Sequence, residues 1–319
     1  MKQKVKFIKD FPSTTEFEYD EDLWYRQHGD AFVIINCHSS QIYYPEHWTP
    51  LSLKCAFNGK EFYKLKNTTY AVTEENFLIM NQGSRYASYI LSDSLTESFT
   101  LNFTQHNLKV LSTANGRSGS QLLDDPFTLN NDSTNFIEKL YSYNPIITSY
   151  IQQLKKIISP QGADNAAVIE LFYFILGEIY QLNCTAIKEA DSIAARKKTT
   201  RHELYKRLSV AKDYIRSCYH QEITLEQLAA NCYLNTFYLL REFKKFYHIT
   251  PHQYLTKVRL HEAEKLILRS TMQIAHIAHE VGFEDASSFT RLFRKQYGAS
   301  PYVYRNQGQA TRTICRCLS

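Results

Sequence analysis

The sequence predicts an α+β multidomain protein, with a β-rich amino-terminal part and an all-α carboxy-terminal part. Three observations lead there. Short strand-like runs fill residues 30 to 108, helical periodicity takes over beyond them, and two stretches after residue 220 repeat one another. A chain of 319 residues also exceeds one ordinary core, so several domains are expected.

The strand-like runs are Ala31 to Cys37, Leu51 to Phe57, Lys60 to Lys66, Thr69 to Thr73, Asn76 to Asn81, Tyr86 to Ser92 and Glu97 to Thr104. They are rich in Val, Ile, Thr and aromatic residues and are separated by turn formers. Asn58-Gly59 between two runs reads as a type I′ hairpin, which needs positive φ at both central positions. Many short antiparallel strands of this kind imply a sandwich or barrel.

After a polar loop, Ser112 to Ser120, the period becomes helical, with candidates at Pro145 to Ile158 and Ala163 to Asn183. In the second, Val168, Phe172, Ile175, Ile179 and Leu182 form a heptad seam. That seam fits either a helix packed on its own barrel or a dimer contact, and Leu171, Phe174 and Leu176 supply a further apolar face. The apolar stretch Ala166 to Tyr180 holds Glu170 and Glu178, too short and too charged for a membrane span. Thr185 to Thr200 is polar, without strong periodicity, and reads as linker.

Charge divides with the fold. Residues 1 to 199 hold 19 Lys and Arg against 22 Asp and Glu, a net of −3, and residues 200 to 319 hold 18 against 10, a net of +8. A basic half joined to a slightly acidic one suggests a polyanion partner for the second half alone. The seven cysteines, at 37, 55, 184, 218, 232, 315 and 317, are odd in number and scattered, which suits reduced thiols in the cytoplasm. The first ten residues lack the apolar core of a secretory signal.

The repeat carries the functional information. Leu225, Leu228 and Ala229 match Ile274, Ile277 and Ala278 at an offset of 49. Beyond a one-residue insertion, Arg241, Phe243, Lys244, Lys245, Tyr247, Thr250, Pro251 and Tyr254 match Arg291, Phe293, Arg294, Lys295, Tyr297, Ser300, Pro301 and Tyr304 at an offset of 50. Each copy reads as helix, tight turn, helix. Thr224 and Gln227 make a capping box for the first helix. Gly282 suits a left-handed exit in the second unit, whereas Tyr233 holds that place in the first and implies a turn built differently.

The second helices are Asn235 to Tyr247 and Asp285 to Tyr297. Leu239, Phe243 and Phe246 should face inward in one, and Phe289, Phe293 and Gln296 in the other. The opposite faces then carry Thr236, Phe237, Leu240, Arg241 and Lys244, and Ser287, Ser288, Thr290, Arg291 and Arg294. Arg can bind guanine with two hydrogen bonds, Ser and Thr can bond bases or phosphates, and Phe can touch a thymine methyl, so both faces suit the major groove of double-stranded DNA. Between the units, Thr250-Pro251 with Gln253 opens a helix running to about Arg269. Its ~28 Å is close to the ~34 Å between half-sites one DNA turn apart.

The run from Gly282 to Lys295, followed by Tyr297-Gly298-Ala299-Ser300-Pro301 and Tyr304-Arg305, resembles the signature of AraC/XylS-type transcription regulators, over about residues 205 to 306. That resemblance implies base-reading roles for Phe237, Leu240 and Arg241 in the first unit and for Ala286, Ser287, Ser288, Thr290 and Arg291 in the second. Asn235 departs from the Ser common at the helix start, and Ala286 cannot hydrogen-bond a base. It further implies a regulator, activator or repressor, that works with RNA polymerase as a homodimer, away from any membrane, under an unidentified small-molecule effector. The expected plan is a cupin-like sensor barrel at 1 to 130, a helical dimerisation segment at 131 to 190, a linker at 191 to 204, the DNA-binding domain at 205 to 306 and a tail at 307 to 319.

Within the sensor, His47, Trp48, Tyr63, Tyr86 and Tyr89 are either ligand-pocket residues or ordinary core and surface aromatics. A cupin-type metalloenzyme tethered to DNA is the competing reading. It would need a His-x-His pair with a later Glu and His. His28, His38 and His47 are not so spaced, and Arg85-Tyr86 stands where the second His would, so no metal, cofactor or enzyme activity is expected.

Overall fold

The computed structural model describes residues 4–10, 28, 31–104, 135–158, 165–195 and 197–307. It forms two compact units, Met1–Lys206 and Arg207–Ser319. The loop at 112 to 120, the tail beyond 307 and the last two cysteines lie outside the described residues. The five cysteines within them, at 37, 55, 184, 218 and 232, are free thiols.

The first unit is built on one eight-stranded mixed sheet. Its strands are β1 (Val5–Ile8), β2 (Phe32–Trp48), β3 (Leu51–Phe57), β4 (Glu61–Leu65), β5 (Thr68–Val72), β6 (Asn76–Met80), β7 (Arg85–Phe103) and β8 (Leu140–Ser142). The path runs β1-β2-β7-β3-β6-β8, with β4 on the other half of β7 and β5 beside β4. β1 pairs parallel with β2, Val5 opposite Phe32. A closed barrel is not formed among the described residues, because this path ends at β1 and β8.

Two of the expected strands are halves of β7. The register against β2 slips between Ser39 and Gln41, opposite Thr96 and Leu91, so the intervening residues of β7 swell into an exposed bulge. β3 pairs with β7 beyond that bulge (Phe57 opposite Glu97) and β4 before it (Phe62 opposite Tyr89). Asn58-Gly59 is therefore not a hairpin. β3 and β4 run the same way along β7, and Asn58, with φ 58°, kinks the chain between them. The hairpin signal presumes that the flanking runs pair with each other, and here a longer strand takes both. Gly59 is required at the kink, because a Cβ there would overlap the Thr96 side chain. The two-residue reversal falls instead between β4 and β5, where Leu65 faces Thr68 and Lys66 adopts φ 53°.

Two helices cover the sheet, α1 (Pro145–Ile157) and α2 (Asn165–Asp191). Asn144 caps α1 by accepting from the Ile147 amide, with Pro145 in the first turn. α2 is long and apolar enough to cross a membrane by length and composition, longer than the sequence pattern indicated. Its seam is spent inside the unit. Val168, Phe172, Ile175 and Ile179 have no exposed surface, Leu182 is half-buried, and the Phe172 ring stacks on Phe32 of β2 at 4.4 Å. The packing on its own sheet thus accounts for the heptad spacing, and a partner chain could not reach the four buried side chains. The 131 to 190 segment is also not all helix, since it contributes β8 to the sheet edge beside β6.

The second unit is helical. Its elements are α3 (Lys198–Cys218), in which the division between units falls, α4 (Leu225–Asn231), α5 (Thr236–Tyr247), α6 (Pro251–Arg269), α7 (Ile274–Glu280) and α8 (Ala286–Tyr297). A last helical stretch spans 301–307. α3 begins inside the stretch that read as linker. Its buried residues start only at Leu204, so the polar first turns carry no apolar period.

Candidate nucleic-acid interface

The two helical units are built alike. Thr224 accepts from the Gln227 amide while Gln227 bonds back to the Thr224 amide, closing the capping box of α4. The same reciprocal pair, Thr250 and Gln253, opens α6, with Pro251 at its first position. α7 has no side-chain cap bond at Gln273. Leu228, Ala229, Leu239 and Phe243 are buried in the first unit. Ile277, Ala278, Val281, Phe289 and Phe293 pack with Leu260, Ala263 and Ile267 of α6 in the second.

Both turns follow one design, contrary to the expectation from sequence. Tyr233 takes φ 54° and Gly282 φ 91°, both left-handed. The next amide bonds back five residues in each copy, Leu234 to the Ala229 carbonyl at 2.9 Å and Phe283 to Ala278 at 2.8 Å. Tyr233 is tolerated because its side chain is 60% exposed. Gly282 has no such room, since a Cβ would lie 2.9 Å from the Tyr219 and His220 carbonyls.

α5 presents its outer face to solvent. Phe237 is 86% exposed, Leu240, Arg241 and Lys244 are exposed, and Thr236 is half-buried. An exposed phenyl of this kind has no role in the core. Asn235 caps α5 through the Tyr238 amide, so its departure from Ser costs nothing in capping. Arg241 Nε donates to Glu242 Oε1 at 2.8 Å, and its guanidinium lies 5.1 Å from the Tyr238 ring centre.

α8 presents a different face. Ser287, Arg291 and Arg294 are exposed and Ser288 is half-buried. Ala286 packs against the second core, which explains why no polar side chain stands there. Thr290 is half-buried and its hydroxyl donates to the Ala286 carbonyl at 2.8 Å. Gln296 is exposed, and Tyr297 takes the inward place instead, 4.5 Å from the Phe293 ring. Asp285 caps α8 by accepting from the Ser287 and Ser288 amides, bonds that hold its carboxyl below the usual value.

The five aromatics proposed for a pocket separate. Tyr63, Tyr86 and His47 gather, with Tyr86 5.5 Å from Tyr63 and 4.2 Å from His47. Trp48 packs instead with Val33, and Tyr89 stacks on Phe62 from the opposite face of β7. No pattern in the sequence announced what the first three surround. Lys54, 4% exposed, donates to the Tyr86 hydroxyl at 2.9 Å, and Glu61, 3% exposed, keeps one carboxylate oxygen without a partner. Burial lowers Lys54 to about 8, with Glu61 opposing, and burial raises Glu61 despite hydroxyl bonds from Ser98, Tyr63 and Ser88. Alternation hid these two, because strands buried on both faces bury their polar positions too. His38 and His47 stand nine residues apart on β2, on the order of 30 Å of strand, so they do not converge on one ion.

Two helix pairs joined by turns of one design, each with a second helix that exposes basic side chains, define a helix-turn-helix DNA-binding domain. A family model described as a helix-turn-helix domain matches residues 228–307. The chain is similar to the regulatory protein PocR of Salmonella typhimurium, 32% identical over 131 residues that cover 40% of this chain and 43% of PocR. It therefore spans less than half the length of that relative. It is also similar to YisR of Bacillus subtilis, an uncharacterised HTH-type transcriptional regulator, 26% identical over 248 residues, 75% of this chain and 79% of the other. Among solved structures it resembles the C-terminal domain of the two-component response regulator YesN from Fusobacterium nucleatum, with 33% identity over 30% of this chain and 94% of that one, and a TM-score of 0.29. The carboxy-terminal part of this chain, residues 228–307, is a helix-turn-helix domain similar to the AraC-type ones.

Proposed function

We propose that the chain is a sequence-specific transcription regulator whose two units enter successive major grooves. The observation that carries this is the solvent face of α5, where Phe237 and Arg241 are exposed to solvent while Leu239 and Phe243 are buried beneath them. The 19 residues of α6 span ~28 Å, close to one DNA turn, which suits two half-sites on one face of the duplex. The net charge of +8 beyond residue 199 supports phosphate attraction. Such a protein works in the cytoplasm, where the DNA is, and an activator of this kind would act on RNA polymerase.

Regulation falls to the amino-terminal unit. A buried ammonium and a buried carboxylate cost several kcal/mol each unless something compensates them. Such groups also concentrate at functional sites. The interior around Lys54, Glu61, Tyr63 and Tyr86, with His47 at its edge, is therefore the effector site of this reading. Self-association would use surface other than the buried α2 seam.

The test is DNA binding by the full chain to duplexes selected from a random pool. Arg241→Ala should cost ~1 to 3 kcal/mol at one base pair, while Lys244→Ala should weaken all sequences alike and lower the salt slope by about one. No selection of any sequence by the native chain would sink the proposal.

A further inference from the structure

Arg241 is held in place on the exposed face of α5, and its neighbours show how. Tyr238 and Glu242 are four residues apart on α5, on one stripe, and Arg241 lies three residues beyond Tyr238. The guanidinium is drawn between them, 5.1 Å from the Tyr238 ring centre and with Nε donating 2.8 Å to Glu242 Oε1. Glu242 itself is anchored, its side chain 12% exposed against 68% for Arg241. With Nε engaged, the two terminal nitrogens are left at the exposed end of the side chain.

We propose that Glu242 and Tyr238 are positioning residues that set Arg241 as an end-on reader of guanine. The inference rests on the DNA-binding function given above and adds the device that gives it specificity. An arginine with only its terminal nitrogens available donates two parallel bonds, which match O6 and N7 of guanine and meet a donor on adenine. Holding the fork in place beforehand removes rotamer entropy that binding would otherwise cost. The second unit lacks the device. At the offset of 50, Ser288 stands for Tyr238 and Leu292 for Glu242, so Arg291 has neither the ring nor the carboxylate. Leu292 packs on the second core, which shows that leucine is compatible with that helix position.

A carboxylate beside DNA repels phosphate, so a purely electrostatic role and a positioning role predict opposite losses. The full chain is used to select duplexes from a pool with a randomised centre, and dissociation constants are measured for the selected site and for single-base variants of it. The native chain should prefer guanine at one base pair that Arg241→Ala no longer distinguishes. Glu242→Leu should lose about tenfold of that preference, leave the other positions unchanged, and bind unrelated DNA as tightly as before or more so. Glu242→Gln, which still offers Nε an acceptor, should keep most of the preference. The inference is overturned if Glu242→Leu retains the guanine preference, if all positions weaken together, or if no guanine depends on Arg241. Failure of the native chain to select any sequence overturns the DNA-binding function itself, and this inference with it.

Discussion

Replacing Gly282 by alanine separates two demands that the turn places on one residue. The first is conformational. At φ 91° an L-residue is strained, and a left-handed residue costs ~1 to 2 kcal/mol. The second is space, since the new Cβ would lie 2.9 Å from two carbonyl oxygens and 3.0 Å from the Arg259 Cζ. Those carbonyls cannot retreat freely. Arg259 Nε donates to the Tyr219 carbonyl at 2.8 Å and its terminal nitrogen to Gln221 at 2.8 Å, tying the end of α3 to α6. Losing one such charge-assisted bond costs ~1.5 to 3 kcal/mol. The sum, roughly 2.5 to 5 kcal/mol, is a large fraction of the ~5 to 15 that a domain possesses. For a helical domain of this size, far-UV circular dichroism in urea should show a second-unit transition lowered by that amount, equivalent to a fall of at least about 10 °C. Tyr233→Gly is the control. It relieves similar strain but frees the unfolded chain by ~0.4 to 1 kcal/mol, so its net effect should be small. The reasoning fails if Gly282→Ala melts with the native protein or if Tyr233→Gly costs as much.

Two further predictions concern the amino-terminal unit. The native chain should co-purify with a small molecule that mass spectrometry detects, and Lys54→Met, with the melting temperature checked, should abolish it; an unchanged bound fraction would remove Lys54 from the effector site. Burial, reinforced by Lys54 and opposed by the Pro45 carbonyl at Nδ1, lowers His47 to about 4 from an ordinary 6.5. Between those values the unfolded chain binds a proton that the folded chain refuses, so the contribution is complete above pH 6.5 and is lost on acidification toward 4, at most about 3 kcal/mol. Both tryptophans, Trp24 and Trp48, precede residue 206, so tryptophan fluorescence follows this unit alone. An acid dependence identical in His47→Gln would refute the assignment.

What the sequence disclosed was local. Thr224 with Gln227, Thr250 with Gln253, and the buried spacing of Leu239 and Phe243 each depend on residues within one or two helical turns, and all stand as read. What it hid was pairing between distant segments. Nothing around Val5 announces a parallel partner at Phe32, and nothing near Leu140 announces Leu78. Asn58-Gly59 misled for the same reason, because its true neighbours are on β7 rather than across a turn. The α2 seam shows that a heptad pattern identifies an apolar stripe without naming what covers it. The recognition faces were legible as residue types, but Ala286 and Thr290 look available until their contacts are known.

Those contacts make the two units unequal in a particular way. In α5 the amide end is capped by neutral Asn235, and Phe237 and a braced Arg241 project beyond it. In α8 the cap is Asp285, which occupies the Ser287 and Ser288 amides and stays ionised, so the helix start neither offers those donors to a phosphate nor carries a neutral face. Ala286 is turned to the core and the Thr290 hydroxyl to its own backbone. That leaves Ser287, Arg291 and Arg294 as the exposed groups among the expected reading positions of α8, an unbraced set suited to adaptable contacts with the backbone or bases. On the DNA-binding function proposed above, sequence discrimination would therefore rest chiefly on the first unit, and the second, joined through the long α6, would contribute affinity by being held one turn away.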